Sequence, residues 1–192
     1  AAFKVGAVGT AMHLAAIAEI VSDSPDAPLI LDPFLSALPD AGMGDEEMLS
    51  ALRSILAPQA TALILSQAEL GRMAELWRDG GDDAAGNLDE DVAELTSSGL
   101  QYVLVTGTRD TAGACSNRLF DTSGEVARVD WQHLEAHANG IVALSGCLSG
   151  RVCRALKESR PKDAASDLDR LTQVFGRDNV YAELIDHGNP LD

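Results

Sequence analysis

The chain has 192 residues, of which 46% are apolar and only 4% aromatic, and its formal net charge is −16. A chain of this size and apolarity can bury an aliphatic core, either as one α/β domain or as a domain of roughly 130 residues with a smaller appendage. The negative charge argues against sequence-independent binding to nucleic acid or to an anionic membrane, because both need clustered lysine and arginine side chains.

The three cysteines, Cys115, Cys147 and Cys153, have neither the number nor the spacing of a disulfide framework or a structural zinc site. No apolar run reaches the length of a membrane span, and charged residues interrupt the apolar stretch at the N-terminus, so no signal peptide is indicated. These features predict a reduced, cytoplasmic setting.

The first elements form a β-α-β pattern. Residues 3–9 predict a short strand that leaves through a glycine, and residues 11–21 have the apolar spacing of a helix. Residues 28–33 predict a second, apolar strand that ends in Asp32. Because open parallel sheets present ligand-binding side chains at the carboxyl ends of their strands, Asp32 is a candidate site residue.

The middle of the chain continues this alternation. An acidic-started helix is predicted at 46–56 and a buried strand at 60–65. Ser66, followed three residues later by Glu69, matches a capping box at the start of another helix. The acidic, glycine-rich stretch 80–87 is interpreted as a solvated loop rather than a metal site.

The next segment completes a first α/β region. A helix is predicted at 88–96, a strand at 101–105 that runs into Thr106 and Gly107, and an edge hairpin with strands at 118–120 and 125–129. The alternation β-α-β-α-β-α-β predicts a mostly parallel sheet flanked by helices, covered on both faces.

After Trp131 the pattern changes to a C-terminal α/β segment, with a helix expected at 162–175 and a last strand at 180–185. Residues 141–144 followed by Ser145-Gly146-Cys147 predict a buried strand, a tight turn and a helix. Free backbone N–H groups at such a turn can hold an anion and lower the pKa of a cysteine. The same pattern is also the commonest joint of α/β scaffolds, so a purely structural role stays open.

Five pieces of the first 132 residues carry a resemblance to a known family. They are Lys4-Val5-Gly6 with Gly9, Leu29 to Pro33, Ala60 to Glu69, Tyr102 to Thr108, and the hairpin Asn117 to Trp131. These pieces resemble bacterial hydroxymethylpyrimidine/phosphomethylpyrimidine kinases, which have the ribokinase-like fold. The resemblance implies ATP-dependent phosphorylation of a pyrimidine precursor of thiamine, with Mg²⁺. The family's first strands have no counterpart before Ala1, so an incomplete ribokinase-like sheet is expected.

The resemblance also implies a set of cofactor-binding residues. Glu69 would organise Mg²⁺ through water, Thr106 and Gly107 would lie near the nucleotide phosphates, and Asp32 would join them. The family pattern Thr-Pro-Asn-x-x-Glu is replaced here by Ile64-Leu65-Ser66-Gln67-Ala68-Glu69, which retains the acid but not the amide.

The family's Gly-Ser/Thr-Gly-Cys anion hole has its nearest substitute in Leu144-Ser145-Gly146-Cys147, which lacks the first glycine. In the kinase interpretation Ser145, Gly146 and Cys147 are the catalytic residues. Their backbone N–H groups would stabilise charge on the transferring phosphoryl group, and Cys147 would stand where a base activates the substrate hydroxyl.

Residues 133–150 and 175–188 carry a second resemblance. The runs His133 to Gly140, Leu144 to Gly150 and Phe175 to Gly188 resemble the PHP domain of bacterial DNA polymerase III alpha subunits, notably the error-prone type. In that family the cysteine of Ser-Gly-Cys can belong to a metal cluster, and its position falls on Cys147. The companion His-x-His and Asp-x-His motifs are not in this chain, so no metal ligands are predicted.

Three functions stay open. The first is a phosphomethylpyrimidine kinase-like protein, incomplete or inactive, with a nucleotide and a pyrimidine as partners. The second is a fusion of a kinase fragment, 1–132, with a PHP-like segment, 133–192, that forms a non-catalytic scaffold. The third is a polymerase-derived module that binds proteins. In each case no direct contact with nucleic acid or membrane is predicted, and exposed sheet edges favour self-association.

Overall fold

The computed structural model describes residues 2–33, 35, 46–77, 87–109, 115–146 and 150–183. The chain divides into two compact units, Ala1–Val129 and Asp130–Asp192. The assignment of the two segments to different origins stays a prediction, because a division into units does not show descent.

The first unit is built on a six-stranded sheet in the order β1-β2-β3-β4-β5-β6. The first four strands are parallel, and the last two form an antiparallel hairpin at the β4 edge. The strands are β1 (Phe3–Val5), β2 (Leu29–Leu31), β3 (Ala62–Ser66), β4 (Tyr102–Arg109), β5 (Cys115–Asp121) and β6 (Gly124–Val129). This mostly parallel sheet with flanking helices confirms the predicted fold class.

The helices of the first unit alternate with its parallel strands. They are α1 (Ala11–Ser22), α2 (Glu46–Ala51), α3 (Gln67–Trp77) and α4 (Leu88–Ser97). After α2 the chain continues as a π-helical turn, Leu52–Leu56, and a 3-10 turn, Ala57–Gln59, where one α-helix to residue 56 was predicted. Pro58 has no N–H to donate to the preceding turn, so the regular α-helical ladder cannot continue through it.

The core of the first unit is aliphatic and lies against one face of the sheet. Alternate residues of β2, β3 and β4 are at most 1% exposed: Leu29, Leu31, Leu63, Leu65, Val103 and Val105. Side chains alternate along a strand, so these six share a face. The residues between them, such as Ile30, Ile64 and Leu104, are half-buried. The sequence predicted that helices cover both faces of the sheet, but in the described residues one face is fully buried and the other is half-buried.

Helix α4 begins at a capping box formed by Asn87 and Glu90. The Asn87 side chain accepts hydrogen bonds from the backbone N–H groups of Asp89 and Glu90, and the Glu90 carboxylate accepts one from the Asn87 N–H at 3.1 Å. These bonds satisfy donors that a helix start leaves unpaired. Most of the solvated loop predicted at 80–87 lies outside the described residues.

The described part of the second unit contains three α-helices, a short 3-10 helix at Arg177–Asn179 and a two-stranded parallel sheet. The α-helices and strands are α5 (Trp131–Ala136), β7 (Ala143–Leu144), α6 (Arg151–Lys157), α7 (Pro161–Phe175) and β8 (Val180–Tyr181). Val152, Ala155 and Ala164 form a small buried cluster between α6 and α7. The helix predicted at 162–175 is confirmed. Among the helices that the structure describes in either unit, none has both the length and the apolarity needed to cross a membrane.

The predicted buried strand at 141–144 is wrong in length and in burial. Only Ala143 and Leu144 pair with β8, and Ile141, Val142 and Leu144 are 42%, 57% and 53% exposed. The apolar run indicated burial, but a sheet of two short strands has little surface with which to cover its own side chains.

Candidate active site at the carboxyl edge of the first sheet

Two of the predicted site residues, Asp32 and Thr106, lie on one face of the first sheet at its carboxyl edge, together with the capping residue Ser66. Ile30 is in register with Ala62, and Ala62 with Tyr102. Residues an even number of positions further along each strand point to the same side. By this count Asp32, Ser66 and Thr106 project from the half-buried face, and Ser66 and Thr106 are direct neighbours.

Asp32 is held by its backbone and by its side chain. Its N–H donates to the Val5 carbonyl at 2.8 Å, which continues the pairing of β1 with β2 by one residue. Its carboxylate lies 3.0 Å from the Lys4 ammonium nitrogen. The side chain is 38% exposed, so the carboxylate is fixed in place and still open to solvent on one side.

Glu69 lies in the first turn of α3 and is only 6% exposed. Its Oε2 accepts a hydrogen bond from the Ser66 N–H at 2.7 Å, and the Ser66 hydroxyl accepts one from the Glu69 N–H at 3.3 Å. The predicted capping box is therefore confirmed. The other oxygen, Oε1, is buried and has no hydrogen-bond partner among the described residues. A buried carboxylate oxygen in this state is expected to take a donor or a cation, because leaving it unpaired is costly.

Thr106 and Gly107 lie at an irregularity in the pairing of β4 with β5, between Val105 and Thr108. The Thr106 hydroxyl donates to the Leu65 carbonyl at 3.2 Å. Gly107 has a φ of +70°, and its N–H donates to the Asn117 side-chain oxygen at 3.1 Å. The amide expected to meet a phosphate is therefore bonded to a side chain of the neighbouring strand.

An apolar hollow lies between the ends of β1 and β2 and the helices α1 and α2, on the face of Val5 and Leu31, which is opposite to the face that carries Asp32. It is lined by Val5, Gly6, Val8, Leu14, Leu31, Pro33, Leu35, Met48, Leu52 and Leu56. A methyl group built on Gly6 would meet no described atom within 4 Å. This hollow was not predicted, although a glycine directly after a strand, Gly6, marks a place where the backbone leaves open space.

The described residues do not form a metal site from protein ligands alone. No group of three or more His, Cys, Asp or Glu side chains in the described ranges could hold a metal ion. Mg²⁺ is commonly bound by one or two carboxylates, with waters and substrate phosphates completing its shell. The partly exposed carboxylate of Asp32 and the unpartnered oxygen of Glu69 are each the type of ligand that such binding uses.

The predicted catalytic residues belong to the second unit, and Cys147 lies outside the described residues. The Ser145 N–H donates to the Tyr181 carbonyl at 2.9 Å, and the Ser145 hydroxyl accepts from the Glu183 N–H at 2.9 Å. Gly146 has a φ of +88°. The turn expected to offer free amides therefore has one of them bonded within the small sheet, because β8 pairs alongside β7. The anion-binding role of these residues stays a prediction.

A family model described as phosphomethylpyrimidine kinase matches residues 1–165. The match includes the whole first unit and continues past the unit boundary at 129/130 into the second.

Solved structures show the same fold. The chain is similar to the pyridoxal kinase from Staphylococcus aureus in complex with AMP-PCP, with 17% identity, a TM-score of 0.51, and coverage of 91% of this chain and 62% of that one. The ADP complex of Bacillus subtilis pyridoxal kinase is 18% identical, with a TM-score of 0.52 and coverage of 88% of this chain and 63% of that one. A putative phosphomethylpyrimidine kinase from Bacteroides thetaiotaomicron, crystallised with pyridoxal, is 20% identical, with a TM-score of 0.52 and coverage of 85% of this chain and 58% of that one. The chain thus spans about three fifths of these kinases.

Parts of the chain are also similar to DNA polymerase III subunit alpha. The match to the Deinococcus radiodurans protein has 41% identity over 63 residues, which is 33% of this chain and 5% of that subunit. The match to the Mycobacterium tuberculosis protein has 28% identity over 117 residues, 59% of this chain and 10% of that subunit. Such partial matches do not assign the chain to the polymerase family.

Proposed function

The chain belongs to the phosphomethylpyrimidine kinase family, and from this membership we propose that it is a vitamin kinase-like phosphotransferase that acts on a pyrimidine precursor of thiamine. In this reaction the substrate hydroxyl oxygen forms a bond to the γ-phosphorus of ATP while the bond from that phosphorus to the β,γ-bridging oxygen breaks. The hydroxyl proton passes to a base, and ADP leaves. Structures of similar fold hold AMP-PCP, ADP or pyridoxal, which supports a nucleotide and a ring-shaped vitamin precursor as ligands.

The observation that carries this proposal is the unpartnered, buried oxygen of Glu69 at the carboxyl edge of the sheet. Glu69 and Asp32 would hold Mg²⁺ together with the nucleotide phosphates, and the ion would supply positive charge against the charge that develops during transfer. Thr106 and Gly107 would lie near the same phosphates.

Ser145, Gly146 and Cys147 are proposed as the anion hole and the proton acceptor. The positive φ of Gly146 supports a tight turn at this point. A neutral thiol is a weak base, so this role requires Cys147 to ionise more readily than an ordinary cysteine.

The first test is binding of Mg·ATP measured by thermal unfolding. A ligand that binds only the folded state stabilises it, by about 2.7 kcal/mol at 100 times its dissociation constant. The wild-type protein should unfold at a higher temperature with Mg·ATP, and Glu69→Gln should lose most of this shift. Glutamine can still close the capping box, so the substitution removes the charge and retains the helix start.

Glu75→Gln is the matched control, because Glu75 is an exposed residue of the same helix. It should keep the full Mg·ATP shift. A wild-type protein that shows neither a shift nor ADP release with hydroxymethylpyrimidine would refute the kinase proposal.

A second candidate function is favoured by the partial matches to polymerase III subunit alpha and by the separate unit 130–192. In this alternative the chain is a fusion whose C-terminal unit binds proteins and whose first unit is a scaffold without catalysis. Capture of replication proteins by the full chain, together with the absence of any response to Mg·ATP, would support it over the kinase.

A further inference from the structure

Lys4 places a positive charge at the candidate cation site. It lies in β1 directly opposite Ile30 of β2, and Asp32 is two residues beyond Ile30 on the same face. The lysine stem therefore runs along the sheet toward its carboxyl edge, and the ammonium nitrogen stops 3.0 Å from the Asp32 carboxylate.

The fold itself gains little from this ion pair. The Lys4 side chain is 64% exposed, and an ion pair in that setting contributes weakly to stability. The backbone of Asp32 is already fixed by its own hydrogen bond to Val5. The ion pair therefore adds little to the pairing of the two strands, and its main effect is on the position and charge environment of the Asp32 carboxylate.

Resting on the function proposed above, we propose that Lys4 is a positioning residue whose ammonium holds the Asp32 carboxylate in the metal-free protein and gives way to the divalent cation. An ammonium and a metal ion compete for the same carboxylate oxygen, and they repel each other when both are close to it. Ser66 and Thr106, which share this face, are neutral. Lys4 therefore sets how strongly the cation binds before the nucleotide arrives.

The test measures Mn²⁺ binding in the absence of nucleotide by water-proton relaxation, at low ionic strength, with the full chain. The Mn²⁺ site that is present in the wild type and lost in Asp32→Asn is taken as the site that contains Asp32. At that site Lys4→Gln should bind Mn²⁺ about three- to tenfold more tightly than the wild type, as expected for loss of one nearby positive charge in a solvated setting.

Two controls separate competition from a general effect of the substitution. Lys4→Arg retains the charge and should keep the wild-type affinity. Lys4→Gln should have no effect in the Asp32→Asn background, because the two residues act through one contact. Lys4→Thr offers a second neutral variant with a side chain well suited to a strand, should the glutamine variant fold poorly.

An unchanged or weaker Mn²⁺ affinity in both neutral variants would overturn the inference. So would a protein that binds Mg·ATP but shows no Mn²⁺ site sensitive to Asp32→Asn, and this result would leave the proposed kinase function standing. Failure of the kinase proposal has a different signature, the absence of any wild-type response to Mg·ATP.

Discussion

At the level of single residues, the candidate site combines groups that serve the fold with groups that the fold leaves unused. One oxygen of the Glu69 carboxylate closes the start of α3, and the other is buried without a partner among the described residues. The Gly107 amide, by contrast, is already bonded to Asn117. Local spacing predicted the hydrogen bond between Glu69 and the Ser66 N–H, since the two residues are three positions apart. The hydrogen bond from Gly107 to Asn117 depends on the register of β4 against β5, which no local pattern reveals.

The same distinction explains the fate of the other predicted site residues. Asp32 was found because it directly follows an apolar strand. The ion pair of Asp32 with Lys4 was not predicted, because 28 residues separate the two in the chain. The Ser145 amide was expected to be free, but a strand that begins 35 residues later accepts its hydrogen bond through Tyr181.

Gly107→Ala should destabilise the protein by about 1–2 kcal/mol, because an L-residue with a side chain is strained at positive φ. Urea unfolding followed by circular dichroism measures the change. Gly6→Ala is the control, since Gly6 has no positive φ and open space around its Cβ position, and it should change stability little. Equal losses in the two variants would contradict this account of Gly107.

At the level of elements, the sequence predicted where strands and helices occur better than where they end or how deeply they are buried. Helix α7 was predicted to within a residue because its apolar spacing is regular. The helix at 46–56 changes character after residue 51, and the strand at 141–144 shortens to two residues, of which Ala143 is half-buried and Leu144 is exposed. In the first case the chain leads into the turn that contains Pro58, and in the second the described residues add no third strand to the small sheet.

The β5–β6 hairpin has an acid that two arginines share. The Glu125 carboxylate accepts a hydrogen bond from Arg128 at 2.6 Å and one from Arg118 at 2.8 Å, and the Arg118 guanidinium lies over the Phe120 ring. The hydrogen bond from Arg128, assisted by Arg118, lowers the pKa of Glu125 below its usual range. The hairpin thus prefers the charged form of this side chain.

A lowered folded-state pKa gives a stability contribution that is present above the unfolded-state pKa and is lost as the pH falls through the folded-state pKa. Glu125→Gln should therefore be less stable than the wild type at pH 7, and the difference should shrink once the pH falls below about 4. Urea unfolding across this pH range measures the difference. A gap between the two proteins that is independent of pH would show that the charge of Glu125 is not the cause.

At the level of the whole molecule, the two units differ greatly in how much apolar surface they bury. The first unit has a continuous core from α1 to β5 that is aliphatic except for Phe120 and methionine side chains, whereas the described part of the second has a buried cluster of three residues, Val152, Ala155 and Ala164. Composition predicted an aliphatic core, and the loss of β-α alternation after Trp131 predicted a different second segment. The sequence could not show how little of the described part of that segment is buried, because the segment still has many apolar residues, such as Ile141, Val142 and Leu144.

This difference predicts how the units behave as separate fragments. A fragment of residues 1–129 should unfold cooperatively, since it retains its core, and a fragment of residues 130–192 should show little cooperative unfolding, because small domains with so few buried side chains are marginal. Thermal unfolding of the two fragments, compared with the full chain, measures this. A sharp transition in the shorter fragment would mean that its stability comes from contacts other than the described cluster.

The hydrogen bond between the Gly107 amide and the Asn117 carboxamide has a consequence for selectivity. Any ligand that approaches this amide must displace an acceptor that is already in place, so a neutral carbonyl would exchange one ordinary bond for another and gain almost nothing. A phosphate oxygen forms a charge-assisted bond of roughly twice the strength, so the exchange favours it. In the proposed kinase, Asn117 would therefore favour anions over uncharged ligands at the Gly107 amide.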